Sequence, residues 1–171
     1  MRKLISVFII LLAAAAAFSQ TDPKPNAASP AKAAFDKLKT LSGSWQGSIA
    51  GIPMDITIRP ASSETAVLYE ANARKGAIPG HEITMFYLEG DRLMATHYCD
   101  AGNRVRWEGK VSPDGKSIEF KFADVAGGSQ RGLLNGIVFT FTDATHHTAV
   151  YNWQEPSGKV LSMSGDFERT K

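Results

Sequence analysis

The segment MATHYCDAGNRVRW, residues 94–107, concentrates side chains that could perform chemistry. They are a histidine, a tyrosine, the only cysteine of the chain and two arginines: His97, Tyr98, Cys99, Arg104 and Arg106. Such residues can form a thiol nucleophile with a histidine base, part of a metal site, or a clamp for a carboxylate or phosphate. The choice depends on which side chains share a face of the backbone.

The spacing of His97 and Cys99 does not favour catalysis. On one strand the two side chains start roughly 7 Å apart and diverge, and the sequence indicates no third group to orient a base. A metal site would need a further ligand from His81, His146 or His147, and no spacing forces one of these close. We therefore predict neither a catalytic residue nor a metal site, and expect Cys99 to act as a small apolar residue.

The elements that must position these residues are β-strands. After Gly43 apolar and polar residues alternate with period two, and turn residues recur about every ten positions. The pattern predicts ten strands at 44–50, 53–59, 64–72, 81–89, 92–100, 103–111, 116–124, 136–142, 146–154 and 160–168. With no helix between them, they predict an all-β fold, an antiparallel up-and-down β-barrel, because closure removes exposed strand edges.

One short helix is predicted before the first strand. Residues 31–41 place Ala34, Phe35 and Leu38 on one helical face. Ser29 and Pro30 fit an N-cap followed by proline at the first helical position. The helix would precede the barrel within a single domain, residues 31–171.

Turn positions give a register for the hairpin of residues 94–107. A two-residue turn at 101–102 would place His97 opposite Arg106 and Cys99 opposite Arg104. These four side chains would then face outward. Thr96, Tyr98 and Trp107 would face the barrel interior. If Arg104 and Arg106 pointed inward instead, they could bind an anionic head group, so anion binding stays an alternative.

The last strands add further interior residues. Their turns pair Phe141 with His147 and Tyr151 with Met163, which directs His147, Tyr151 and Trp153 inward. A ten-stranded barrel is wide enough to leave a cavity. The candidate ligand-binding residues, all expected inside the barrel, are Thr96, Tyr98, Trp107, His147, Tyr151 and Trp153.

The same register predicts an apolar patch on the outer surface at Phe86, Leu88 and Leu93. Either the helix or a second subunit would cover it, so a homodimer is possible. Nucleic acid is not an expected partner, because such binding needs a clustered basic excess. The chain has 19 basic and 17 acidic residues, and removal of Arg2 and Lys3 with a leader would leave them equal.

The N-terminus predicts export. Arg2 and Lys3 precede an unbroken apolar run of 14 residues, Leu4 to Ala17, and small residues flank a cleavage position after Ser19. The run is short for a membrane span and suits a signal peptide at 1–19. Residues 20–30 are polar and proline-rich, as in a disordered tether. We expect a secreted or periplasmic protein with no stable membrane span after cleavage.

The Gly43-Ser44-Trp45 sequence, at the start of the first strand, resembles the calycin superfamily of lipocalins and related barrels. The likeness in strand pattern covers residues 42–170, and the chain is similar to lipocalin-like exported bacterial proteins. The resemblance implies that Trp45 packs over one barrel end against Arg169. Nitrobindin-type haem barrels share the ten-strand layout. A second lipocalin signature and the lipocalin disulfide are missing.

The residues and the resemblance together favour binding over catalysis. The main hypothesis is an exported barrel that holds a small apolar or amphipathic ligand in its interior. One alternative is a haem-binding barrel that uses His147 as the iron ligand; otherwise no cofactor is expected. Another is a protein-interaction or inhibitor barrel that acts through its outer surface.

Overall fold

The structure is a computed structural model that describes residues 28–74 and 80–170. The signal peptide and nearly all of the tether expected at the N-terminus lie outside these residues. The chain begins with helix α1, Pro30–Lys39. The Oγ of Ser29 accepts a hydrogen bond from the amide of Lys32 at 3.2 Å, which confirms the predicted cap. In the described ranges, no helix combines the length and hydrophobicity needed to cross a membrane.

Ten antiparallel strands follow and close into one barrel, which confirms the predicted fold class. Each strand pairs with its neighbours in the sequence, and β1 pairs with β10 to close the ring. The strands are β1 Gly43–Ile49, β2 Ile52–Ala61, β3 Ala66–Ala73, β4 His81–Glu89, β5 Arg92–Tyr98, β6 Arg104–Val111, β7 Ser117–Ala126, β8 Leu133–Phe141, β9 His146–Gln154 and β10 Val160–Arg169.

Helix α1 lies across one end of the barrel. Lys39 is 3.7 Å from Glu64 in the β2–β3 turn, and the Lys37 ammonium lies 4.9 Å from the ring centre of Phe141 at the end of β8. Phe35 and Leu38, on the inner face of the helix, are buried in the core. The β1–β2, β5–β6, β7–β8 and β9–β10 connections therefore lie at the opposite end.

Aromatic side chains fill the half of the interior beside α1. The rings of Phe86 and Phe120 are 5.0 Å apart, and Phe139 lies 5.8 Å from Phe86. The predicted outer apolar patch is therefore wrong. Phe86 and Leu93 are fully buried inside the barrel and Leu88 packs against the same core, so these residues do not form a patch on the outer surface.

The error arises at the β5–β6 hairpin, where the observed pairing differs from the predicted one by one residue. His97 lies opposite Val105 and Tyr98 opposite Arg104. The turn contains three residues, 100–102, because the amide of Cys99 donates to the carbonyl of Asn103 at 3.1 Å. A shift of one residue exchanges the two faces of a strand.

The contact between Trp45 and Arg169 implied by the calycin resemblance is present across the closing β1–β10 pair. The Arg169 guanidinium lies 4.2 Å from the ring centre of Trp45, and the two residues are partners in the ladder. The guanidinium nitrogens of Arg169 also donate to the carbonyls of Thr40 and Ala144, both at 2.9 Å. Arg169 thus joins the last strand to the segment that follows α1.

Candidate functional site

A cavity of about 340 Å³ occupies the half of the barrel away from α1. Apolar side chains form most of its wall: Ile49, Ile52, Met54, Ala71, Leu134, Ile137 and Met163. Asp100 and Arg131, from the β5–β6 and β7–β8 connections, also line it, so the cavity reaches the end of the barrel opposite α1. Its volume is at the lower end of the range for small-molecule sites.

Two tyrosine hydroxyls meet deep in this cavity. The Oη atoms of Tyr69 and Tyr151 are 2.8 Å apart, although β3 and β9 are not neighbours in the barrel. Burial raises the pKa of both phenols, so both are neutral at ordinary pH. One hydroxyl donates to the other, and the acceptor keeps a hydrogen that can be donated to a ligand.

Both tryptophans predicted to bind the ligand, Trp107 and Trp153, line the cavity. Trp107 is fully buried, and its Nε1 donates to the carbonyl of Leu134 at 3.0 Å, which fixes the indole in the wall. Trp153 is half-buried in the part of β9 that approaches the open end. With Tyr151, these residues agree with the predicted inward direction.

The predicted direction of Thr96 and Tyr98 is wrong, because the three-residue turn reverses the faces of β5. Thr96 lies on the outer surface, where its Oγ1 is 3.1 Å from the hydroxyl of Tyr87. Tyr98 is 47% exposed. His97, which lies between them, and Cys99, which follows Tyr98, are buried instead.

His97 therefore belongs to the cavity wall, together with Glu82 and Thr84. Its Nδ1 is 2.9 Å from Oγ1 of Thr84, and its ring stacks on Trp107 with centres 5.2 Å apart. The Nε2 atom is buried without a hydrogen-bond partner. Burial lowers the pKa of His97 to about 4, so the imidazole is neutral.

Glu82 and Cys99 complete this polar group. The Cys99 Sγ donates to Oε1 of Glu82 at 3.3 Å. Burial raises the pKa of the Glu82 carboxyl, and burial together with that carboxyl raises the pKa of the thiol to about 12. A nucleophilic thiolate is not favoured in this environment. The sequence analysis had placed His97 and Cys99 on the outer face.

His147 lies inside the barrel, as its strand pattern predicted, but it does not line the cavity. Its ring centre is 4.4 Å from Trp45 and 5.1 Å from Phe167, and both ring nitrogens lack hydrogen-bond partners. Burial lowers its pKa to about 4. A haem group needs open space on one side of its axial ligand, and the packed rings around His147 leave none. These residues do not fit haem.

The two arginines of the hairpin are on the outer face. Arg106 is 3.4 Å from Glu89 and 3.5 Å from Asp124, so two carboxylates of the protein already accompany it. Arg104 is exposed beside Tyr98. Neither guanidinium faces the cavity, which excludes an internal anion clamp built from this pair.

One structural residue of the hairpin had no distinctive sequence signal. The amide of Asn103 is buried, and its Nδ2 donates to the carbonyls of Gly132 at 2.9 Å and Gly128 at 3.2 Å. These bonds tie the β5–β6 turn to the β7–β8 connection at the open end. The asparagine thus stabilises the three-residue turn that directs His97 inward.

The barrel fold resembles that of a solved structure. The chain is similar to Rv2717c from M. tuberculosis, with a TM-score of 0.60 and 13% identity over 81% of this chain and 98% of that one. A protein of unknown function from the DUF3598 family of Nostoc punctiforme gives a TM-score of 0.24 and 6% identity over 80% and 98% of the two chains. No protein-family model and no curated protein matches the sequence. The first likeness supports the fold alone.

Proposed function

We propose that this protein is an exported, calycin-like barrel that binds a small, uncharged apolar or amphipathic molecule in its interior. The observation that carries the proposal is the cavity of about 340 Å³ between the Tyr69–Tyr151 hydroxyl pair and the open end of the barrel. A packed interior would have indicated a purely structural barrel. The half-filled interior supports binding.

The composition of the wall selects the ligand class. Aliphatic side chains and the indoles of Trp107 and Trp153 favour an apolar body, since burial of apolar surface drives such binding. The spare tyrosine hydrogen favours one acceptor oxygen or nitrogen on the ligand. Ionised Glu82 would repel an anion, and Arg131, the cation that lines the cavity among the described residues, is accompanied there by Asp100.

The calycin-like fold and the export of the protein are parts of the same proposal. The contact of Trp45 with Arg169 supports the first, because the Gly-x-Trp motif and the arginine of the last strand meet at one end of the barrel. The N-terminal pattern of residues 1–19 supports the second. Binding rather than catalysis agrees with a cavity whose two phenols stay neutral because burial raises their pKa.

A fluorescence titration with N-phenyl-1-naphthylamine tests the binding proposal. This uncharged probe, in which an amine joins a naphthalene and a phenyl ring, brightens in an apolar cavity, and saturation at one probe per protein is expected. Ala71→Phe fills the cavity and is expected to weaken binding at least tenfold. Asn72→Phe adds the same bulk to the neighbouring exposed position and is the matched control. Equal probe affinity in all three folded proteins would refute internal binding.

A further inference from the structure

A compact group of metal-ligand types lies in the cavity wall where β4 and β5 run side by side. Glu82, His97 and Cys99 each offer one ligand atom, and these atoms lie within 4.8 Å of one another. The Glu82 Oε1 is 3.3 Å from Sγ of Cys99, and its Oε2 is 3.8 Å from Nε2 of His97. Ligand atoms around tetrahedral zinc are about 3.3 to 3.6 Å apart, so side-chain adjustments of about 1 Å suffice.

The Nε2 atom of His97 is the strongest indication that this group has a ligand. The residue is 3% exposed, and Nε2 makes no hydrogen bond. Its Nδ1 is held 2.9 Å from Oγ1 of Thr84. When Nδ1 carries the proton, the lone pair of Nε2 is free 3.8 Å from Oε2 of Glu82 and within 4.8 Å of the Cys99 thiol, and the hydroxyl of Thr84 acts as the outer partner that metal-bound histidines usually have.

The charge of Glu82 gives a second, independent indication. Its side chain is 16% exposed, and within residues 28–74 and 80–170 no lysine or arginine forms an ion pair with it. Arg131, which also lines the cavity, donates to the carbonyl of Asp100 at 3.1 Å instead. A half-buried carboxylate without a cation is costly, and a bound metal ion would supply the missing positive charge.

We propose that Glu82, His97 and Cys99 bind one divalent transition-metal ion of the zinc type. Thiolate, imidazole and carboxylate are the donors that such ions prefer, and the ion replaces the proton of the thiol on binding. Glu82 and His97 line the cavity, so a fourth coordination position faces it and is filled by water or by a molecule in the cavity. The site goes beyond the proposed function, and neither depends on the other.

Cobalt(II) provides the direct test, because it reports the donor atom by absorption. The protein is purified without a histidine tag, kept reduced with a phosphine, and titrated with Co²⁺. A thiolate-to-cobalt absorption band in the near ultraviolet is expected to saturate at one equivalent and to disappear when one equivalent of Zn²⁺ is added. Cys99 is the only cysteine, so the band identifies it without any variant. Folded protein that shows no such band would refute the site.

Variants then assign the other two ligands. We expect His97→Gln and Glu82→Gln each to weaken Zn²⁺ binding at least tenfold, measured by competition with a chromophoric chelator. His81→Gln is the matched control, because His81 is an exposed histidine next to Glu82 on the same strand. Unchanged affinity in both ligand variants would contradict the assignment. Binding of N-phenyl-1-naphthylamine, measured in the same preparations, separates loss of metal from loss of the cavity.

Discussion

The hydroxyl groups of Tyr69 and Tyr151 meet at 2.8 Å across the barrel and separate the cavity from the aromatic core. Beyond the pair, Phe139 packs 5.7 Å from the ring of Tyr69. On the other side the space is open to a ligand. The bond therefore couples two opposite walls of the barrel at the point where the filled interior ends.

Removal of one tyrosine hydroxyl leaves its partner buried without a hydrogen bond. We expect Tyr69→Phe and Tyr151→Phe each to lower the free energy of unfolding by about 1 to 3 kcal/mol. The double variant loses both hydroxyls, so its cost should be smaller than the sum of the single costs. Urea unfolding of the four proteins measures this coupling. Additive costs would show that the two hydroxyls do not stabilise one another.

Tyr98 and Trp153 should differ in their effect on ligand binding, because Tyr98 is exposed and Trp153 lines the cavity. Tyr98→Ala is expected to change the affinity for N-phenyl-1-naphthylamine by no more than about twofold, as is usual for a surface position. Trp153→Ala removes apolar wall and should weaken binding by about tenfold, or 1.4 kcal/mol. A large loss on Tyr98→Ala would mean that the assigned faces of β5 are incorrect.

Arg169 should stabilise the closing strand pair through both its charge and its planar shape. Its guanidinium contacts the ring of Trp45 and donates to carbonyls on either side of the closing pair, including that of Ser42. We expect Arg169→Ala to cost about 2 to 4 kcal/mol of unfolding free energy. Arg169→Lys should recover less than half of this loss, because an ammonium lacks the planar set of N–H donors of the guanidinium. Exposed Arg59 is the control, with Arg59→Ala costing about 0.5 kcal/mol or less.

His147 should make the fold sensitive to acid. Burial lowers its pKa from 6.5 to about 4 in the folded state, Arg169 lowers it further and Asp166 opposes the shift. The unfolded chain therefore takes up a proton below pH 6.5 that the folded protein does not, and stability falls as the pH falls from 6.5 to 4. At about 1.4 kcal/mol per pKa unit, the loss reaches about 3 kcal/mol.

His147→Phe isolates this contribution. The phenyl ring can keep the stacking on Phe167, and it removes two ring nitrogens that have no hydrogen-bond partner. We expect the variant to be at least as stable as the wild type at pH 7 and to lose less stability by pH 4.5. Urea unfolding at both pH values provides the comparison. An identical pH dependence in the two proteins would contradict the assignment to His147.

The strands could be predicted because period-two hydrophobicity and turn residues are local signals. The pairing of Phe141 with His147 and of Tyr151 with Met163 was predicted and is confirmed. The orientation of β5 could not be predicted, because two- and three-residue turns differ by one residue and because apolar residues occupy both faces of β4. Asn103 decides between the two turns through long-range bonds that no local pattern reveals.

The Glu82–Cys99 neighbourhood was within reach of the sequence but was missed. The β4–β5 register, which pairs Thr84 with His97 and Ile83 with Tyr98, brings Glu82 beside Cys99. Histidines alone were considered as the third metal ligand, so the carboxylate across the hairpin was overlooked. The cavity volume could not be predicted from the sequence. It depends on how the rings of Phe86, Phe120 and Phe139 pack, which strand periodicity does not specify.

Internal binding is tested most directly by the methionine methyl groups. Four methionines belong to the described residues: Met54 and Met163 line the cavity, whereas Met85 and Met94 do not. Methyl NMR spectra of protein labelled at methionine are recorded during titration with N-phenyl-1-naphthylamine, whose rings shift nearby signals. We expect saturable shifts at Met54 and Met163 with little change at Met85 and Met94. Saturable binding that shifts Met85 or Met94 and leaves Met54 and Met163 unchanged would contradict internal binding.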